Sequence, residues 1–323
     1  MTSAWYRDGG RIGRAVLGLA LPVFLASLPA RAACVGLAFA SLPGAVEWLG
    51  GGGGYNVFDP AIRPQAVAFS VRKTSGTCTY FIAAADIDGG TPSNRRLRGS
   101  GASLAYNLFT TSQRTNPIRD IPAASANDLV IGAFAAAGAA SNTHTYYFDI
   151  PPLQLVLPAR YQAAIRLRLF HGDLVNNTLV HTLNVVHQAN VGRMAEISLG
   201  PAGQPFDPLP VPRTLDLGTL DRPRRVGLDM RVRANSGFSV TMQSQNGGVL
   251  RHVDASIDAA IPYELTIDGA AIDLAGRRSV PAAVAIGLTG LTGNLYSIAV
   301  AAGPADAISG TYRDIISIVV TAK

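Results

Sequence analysis

This chain is short of several things that would give it a simple function. It has two cysteines among 323 residues, too few for the dense disulfide frameworks that let small secreted domains dispense with a core. Outside its first 32 residues it shows no helical period, and no later segment reaches the roughly 18 uninterrupted apolar residues of a membrane helix. Its five histidines, His144, His171, His181, His187 and His252, have no metal-ligand spacing. Asp86 and Asp88 lack the further oxygen ligands that a calcium loop needs. Gly50 to Gly54 lacks the Lys-Ser/Thr and the helix of a phosphate loop. Ser70 and Lys73 have the spacing of an acyl-enzyme pair, but on a strand pattern and without companion motifs. Neither an enzyme nor a cofactor is expected.

What is present begins at the N-terminus. Residues 1–14 carry Arg7, Arg11 and Arg14, residues 15–28 form an apolar run, and Ala30-Arg31-Ala32 has the form of a cleavage site. The expectation is a signal peptide over 1–32, an exported mature chain starting at Ala33, and passage through an oxidising compartment. Removing four basic and one acidic residue from 27 and 21 leaves 23 against 20, so no nucleic-acid partner is implied. Cys34 and Cys78 are then an even pair in that compartment and are expected to form one disulfide. Closing such a loop is worth roughly 4 kcal/mol in the chain-entropy model.

The mature chain echoes itself. Val71-Arg72-Lys73-Thr74-Ser75-Gly76 returns 161 positions later as Val232-Arg233-Ala234-Asn235-Ser236-Gly237. In the same order, Cys34-Val35-Gly36-Leu37 matches Ala195-Glu196-Ile197-Ser198, Tyr106-Asn107-Leu108 matches Tyr263-Glu264-Leu265, and Tyr161 matches Tyr312. Collinear echoes indicate one fold used twice. Apolar alternation in Ala66–Val71, Ala163–Phe170, Leu228–Val232, Phe238–Met242 and Ile315–Val320 reads as strands. The 34 glycines and 20 prolines cut the chain into the short pieces of an all-β protein. The expected architecture is two β-sandwich domains, 33–190 and 191–323, with a boundary around Gln188–Arg193. The copies end differently: a strand over Thr178–Val186 follows the first, whereas nothing follows the strand after Tyr312. The second domain is expected to lack its last strand.

Four features together resemble the spore coat protein U domain: Leu97–Asp120 (LRGSGASLAYNLFTTSQRTNPIRD), Gly310–Val320 (GTYRDIISIVV), the Cys34 and Cys78 pair, and Val232–His252 (VRANSGFSVTMQSQNGGVLRH). That family includes pilins of archaic chaperone-usher pili. The resemblance implies immunoglobulin-like sandwiches, assembly by taking a strand from a neighbour, and export through the periplasm to a pilus tip. The implied partners are a periplasmic chaperone, an outer-membrane usher and an adjacent pilin subunit. The first copy has Ala159-Arg160-Tyr161 where the family has Gly-Thr-Tyr, and the second has no cysteine pair. A two-domain chain is similar to a tip adhesin of such pili, in which a binding domain precedes a pilin domain.

A sandwich lacking a strand exposes both an unpaired edge and its own core. Ile316, Ile318 and Val320 are expected to line an acceptor groove, in which four or five aliphatic side chains of an added strand would contribute roughly 6 to 15 kcal/mol before ordering costs. Cleavage before Ala33 would leave no donor segment of its own, as suits a terminal subunit. Three segments of domain one, Asp86–Gly101, Ser125–Asn142 and His171–Asn177, are expected farthest from the junction. Leu129, Val130, Ile131 and Phe134 form the candidate surface-binding loop, suited to an abiotic or host surface and to biofilm formation; a buried strand is the other reading of this run. Arg95, Arg96 and Arg98 are candidate contacts for an anionic polymer, with a solvated loop the blander account. A non-adhesive coat or matrix subunit and a soluble carbohydrate-binding lectin are the competing functions.

Overall fold

The computed structural model describes residues 34–323 apart from 51, 210–211 and 278. The expected signal peptide lies outside the described residues. Nearly all regular structure is β, and the helical pieces among the described residues are two three-residue turns, Ala126–Asp128 and Ala275–Arg277.

The first half contains β1 (Ala38–Ser41), β2 (Ala45–Glu47), β3 (Gln65–Lys73), β4 (Cys78–Asp86), β5 (Arg96–Gly99), β6 (Ala102–Ala105), β7 (Asn107–Phe109), β8 (Val130–Phe134), β9 (Ala140–Asp149), β10 (Ala159–Gly172) and β11 (Asn177–Val191). One sheet has the order β1-β3-β9-β7 and the facing one β2-β11-β10-β4-β8, with β5 and β6 at its margin. Alternation sends every second side chain inward. Phe69, Val71, Tyr146 and Phe148 of the first sheet thus meet Tyr80, Ile82, Leu167 and Leu169 of the second in one core. The strand after β10 is part of this sheet: β11 runs antiparallel to β10 from Gly172↔Asn177 to Ala159↔Val191, and β2 runs parallel along its far side. Because β11 extends to Val191, the connection to the second half is residues 192–194.

The second half contains β12 (Ala195–Gly200), β13 (Arg224–Ala234), β14 (Phe238–Ser244), β15 (Val249–His252), β16 (Ala260–Pro262), β17 (Glu264–Ile267), β18 (Ala270–Ile272), β19 (Val280–Ala285), β20 (Asn294–Ala302), β21 (Tyr312–Arg313) and β22 (Ile316–Ala322). Its sheets have the orders β12-β13-β20-β17-β18, β19-β14-β22 and β16-β15-β21. Met230, Val232, Ile298 and Val300 meet Phe238, Val240 and Met242 in a separate core. The sheet-forming segments Ala66–Val71, Ala163–Phe170, Leu228–Val232 and Phe238–Met242 all lie within observed strands.

Cys34 and Cys78 form a disulfide that joins the segment before β1 to the start of β4. Arg95 is 1% exposed and is therefore not a surface contact. It donates to Asn107 Oδ1 at 2.9 Å, to the Ala84 carbonyl at 3.1 Å and to the Ile118 carbonyl at 2.9 Å, tying the crossing chain at Ile118 to β4.

His187 is fully buried among aromatic rings, with Nε2 and the Tyr146 hydroxyl 2.8 Å apart. Burial, helped by the charge of Arg95, pushes its pKa down to about 3. The folded state therefore keeps His187 neutral where the unfolded chain binds a proton, so its contribution is intact above pH 6.5 and is lost as the pH falls below it. Stability should fall by up to about 1 kcal/mol per pH unit between pH 6.5 and 5. In denaturant titrations across that range, His187→Gln should flatten the slope; an unchanged slope would show that other groups carry it.

Candidate functional site

Two places in the molecule leave apolar side chains incompletely covered. The first follows from a local motif shared by both halves. The Tyr161 hydroxyl donates to the Leu157 carbonyl at 2.8 Å, and the Tyr312 hydroxyl donates to the Ile308 carbonyl at 2.6 Å. Each tyrosine thus pins the corner four residues before it, at the entry to a strand, as in the tyrosine corner of sandwich folds. The motif makes β21 and β22 the counterpart of β10. Their surroundings differ. β10 lies between β4 and β11, whereas β22 pairs with β14 on one edge, and no strand pairs with its other edge among the described residues.

Burial records the same difference. The inward side chains of β10, Ile165, Leu167 and Leu169, are 0–2% exposed. Ile316, Ile318 and Val320 face inward on β22 and are each only partly buried against the second core. Beside them runs a groove of about 1210 Å³ whose walls include Ile316 and Ile318, with Leu228, Met242, Leu265 and Ile298 among its core-facing lining. Leu215 and Leu217 form part of the opposite bank. Their segment carries no strand pairing among the described residues. In the first half, β2 follows β1 in the same way and is a strand because β11 lies beside it to accept its hydrogen bonds. The sequence pattern Leu215–Leu220 is apolar enough for a strand, but a strand needs a neighbour.

At one end of the groove Asp314 accepts four hydrogen bonds, from Ser244 Oγ at 2.5 Å, Tyr263 Oη at 2.6 Å and the backbone N–H groups of Asn246 and Ile315 at 3.0 and 2.8 Å. Burial and the Asp314 carboxylate both hold the Tyr263 phenol well above its usual range. The groove end is therefore a fixed, fully bonded polar wall.

The second place is the end of the first half remote from residues 192–194. The β10–β11 turn lies there, as do the turns 74–77 and 135–139, because His171 pairs with Tyr80 and Cys78 pairs with Phe134. Asp86–Gly101 does not: Ile165 pairs with Asp86 and Gln162 with Arg98, which carries that segment toward the junction. The β10–β11 turn displays Leu174 and Val175, the latter 86% exposed. It does so from a rigid frame. Asp173 Oδ1 accepts from the N–H groups of Val175 and Asn176, both at 2.8 Å, and these bonds hold its carboxyl below the usual range. Gly172 has φ +103°, and a Cβ there would clash with the Asn176 carbonyl oxygen, so only glycine fits the turn. Leu179 and Val180 continue the exposed apolar surface.

The surface-binding run expected over 129–134 needs correction. Val130–Phe134 is β8, paired with β4, and Leu129, Val130 and Phe134 are buried. Strand alternation sends Val130 and Phe134 into the main core, and Leu129 packs with Phe81, Ala83 and Phe170 on the outer face. Ile131 alone of the four is exposed, at 55%.

Lys73 was the residue least readable in advance. It ends β3 at the far end, is 2% exposed, and has no carboxylate partner among the described residues. Its ammonium donates to the carbonyls of Gly76, Ala136 and Gly138, each at 2.5 Å, and stands 5.3 Å from the Phe134 ring centre. Its three donors are all used, and they lash the turns 74–77 and 135–139 together. This also ends the acyl-enzyme reading, since Ser70 and Lys73 lie on opposite faces of one strand. Lys73→Met keeps the stem and removes the charge, leaving three inward carbonyls unpaired. It should cost about 3 kcal/mol and speed amide exchange at Gly76 and Ala137. Exchange at the unsubstituted rate would show that the clamp is dispensable.

Residues 61–167 match the model of the Spore Coat Protein U domain. The matched segment runs from just before β3 into β10. No curated protein matches the sequence. Among solved structures, the chain resembles the CsuC–CsuE chaperone–tip adhesion subunit pre-assembly complex from the archaic chaperone-usher Csu pili of Acinetobacter baumannii. Identity is 11% and the TM-score 0.43, over 85% of this chain and 96% of that one. It also resembles the CupB6 tip adhesin of Pseudomonas aeruginosa, at 10% identity and TM-score 0.38, over 89% and 95% of the two chains. A third likeness is to CfaE, the adhesive subunit of CFA/I fimbria of enterotoxigenic Escherichia coli, at 11% identity and TM-score 0.28, over 82% and 75%.

Proposed function

We propose that this protein is a pilus subunit of the tip-adhesin kind, built as two immunoglobulin-like domains over 33–190 and 191–323. The second domain accepts a β-strand from another chain, first a periplasmic chaperone and then an adjacent pilin handed over at an outer-membrane usher. The first domain carries the contact surface, at the cell surface on a fibre end. The observation that carries the reading is the contrast between β10 and β22. The same inward row is covered by β11 in one half and only partly buried beside a groove in the other. An added strand would supply the missing backbone partners of β22 and seal that row, the mode in which ladder hydrogen bonds give affinity and alternate side chains give fit.

The test uses the strand that serves the first domain. Residues 177–186, fused after Lys323 through a flexible linker, should raise the melting temperature of the second half and protect the amides of β22 from exchange. The same fusion with Leu183 and Val185 changed to Asp should do neither. A mature chain that is already monodisperse, with β22 amides fully protected and no response to the fusion, would sink the proposal.

The contact surface is assigned to the far turn and its flank, Leu174, Val175, Leu179 and Val180, in place of the run 129–134. Apolar groups held out on a rigid turn suit an abiotic or otherwise greasy surface, host or inert. Leu174→Ser combined with Val175→Ser should lower attachment of the assembled subunit to alkyl-coated beads several-fold, while strand acceptance is unchanged. Full attachment by that double variant would remove the assignment.

A further inference from the structure

The first and second halves meet at a cation. Arg233, on β13, has its guanidinium 4.6 Å from the ring centre of Phe58 and 4.1 Å from that of Phe206. Phe58 belongs to the first half and is buried in its core; Phe206 belongs to the second. Nε and Nη2 of Arg233 both donate to Glu196 Oε2, at 2.8 and 2.7 Å. The side chain is 12% exposed. A planar cation between two rings and against a carboxylate satisfies its faces and its edge together, which a lysine would not do.

Two residues further on, Asn235 is fully buried and grips the connection itself. Its backbone N–H donates to the Met194 carbonyl at 3.1 Å, its Oδ1 accepts from the Met194 N–H at 2.8 Å, and its Nδ2 donates to the Gly192 carbonyl at 2.8 Å. Met194 in turn packs on the core of the first half. The two ends of the connection, Gly192 and Met194, are thus fixed from one side or the other.

Both residues lie in the repeated motif, where the first copy has Arg72 and Thr74. There the turn is tied to its own N-terminal segment, Thr74 N–H donating to the Val35 carbonyl at 2.8 Å, and Arg72 is exposed. The second copy uses the same turn to hold the chain arriving from the first half.

We propose that Arg233 and Asn235 lock the two halves into one rigid body, so that residues 192–194 do not act as a hinge. The lock itself stands whether or not the second half accepts a strand; only its use, carrying load from a contact end to a fibre, rests on the proposed function. The test is a distance distribution between spin labels at Gln162 and Ser317, one exposed site on each half, in the mature full-length chain. The unsubstituted chain should give one narrow peak. Arg233→Ala with Asn235→Ala should lose it for a broad distribution, with circular dichroism unchanged. Should that pair fail to fold, Phe58→Leu, which leaves β13 intact, should broaden the peak in the same direction. A broad distribution in the unsubstituted chain, or a narrow one that survives in the folded variants, would overturn the proposal. The fusion of residues 177–186 reads strand acceptance separately, so the two failures are distinguishable.

Discussion

A β-strand cannot satisfy its own backbone, and the molecule is organised around that constraint. Each strand needs a neighbour on both edges or solvent on one of them, and a row of inward aliphatic side chains needs a lid. In the first half β11 provides both for β10, and three isoleucine and leucine side chains vanish from the surface. In the second half the equivalent strand has one neighbour and a groove. The unpaired Leu215 segment follows from the same shortage, since it has the residues of a strand and no partner strand among the described residues.

Much of this was legible in the sequence because it rests on periodicity and order. Alternation located the long strands, and the collinear echoes put Tyr161 and Tyr312 at matching positions before the corner geometry was known. The disulfide was expected from two cysteines in a chain read as exported. The inward face of β22 could be named as Ile316, Ile318 and Val320 because side chains on a strand alternate whatever lies beside it.

What was not legible depends on faces and ends. Leu129–Phe134 has apolar residues that suit either a displayed loop or a buried strand, and only its register against β4 decides. Asp86–Gly101 was expected at the far end, but the pairing of β5 with β10 turns it the other way. Arg95 and Lys73 sit in runs that look solvated, yet both are buried cations held by carbonyl groups. Their partners are mostly backbone carbonyls, which any residue supplies, from segments 3 to 65 positions away, so no local pattern announces them. The aromatic sandwich around Arg233 is the same case, since Phe58 and Phe206 have nothing in common in sequence beyond being phenylalanine.

The single covalent crosslink sits at the extremity of the first half, beside the turns that Lys73 gathers. A tug applied there reaches Cys34 and Cys78 before it reaches the hydrogen bonds of β1, β3 and β4. The residues between the two cysteines, β1 to β3, are closed into a covalent loop that cannot be opened from this end. Force must instead shear whole ladders at once, and a ladder sheared along its length resists far more than one peeled bond by bond.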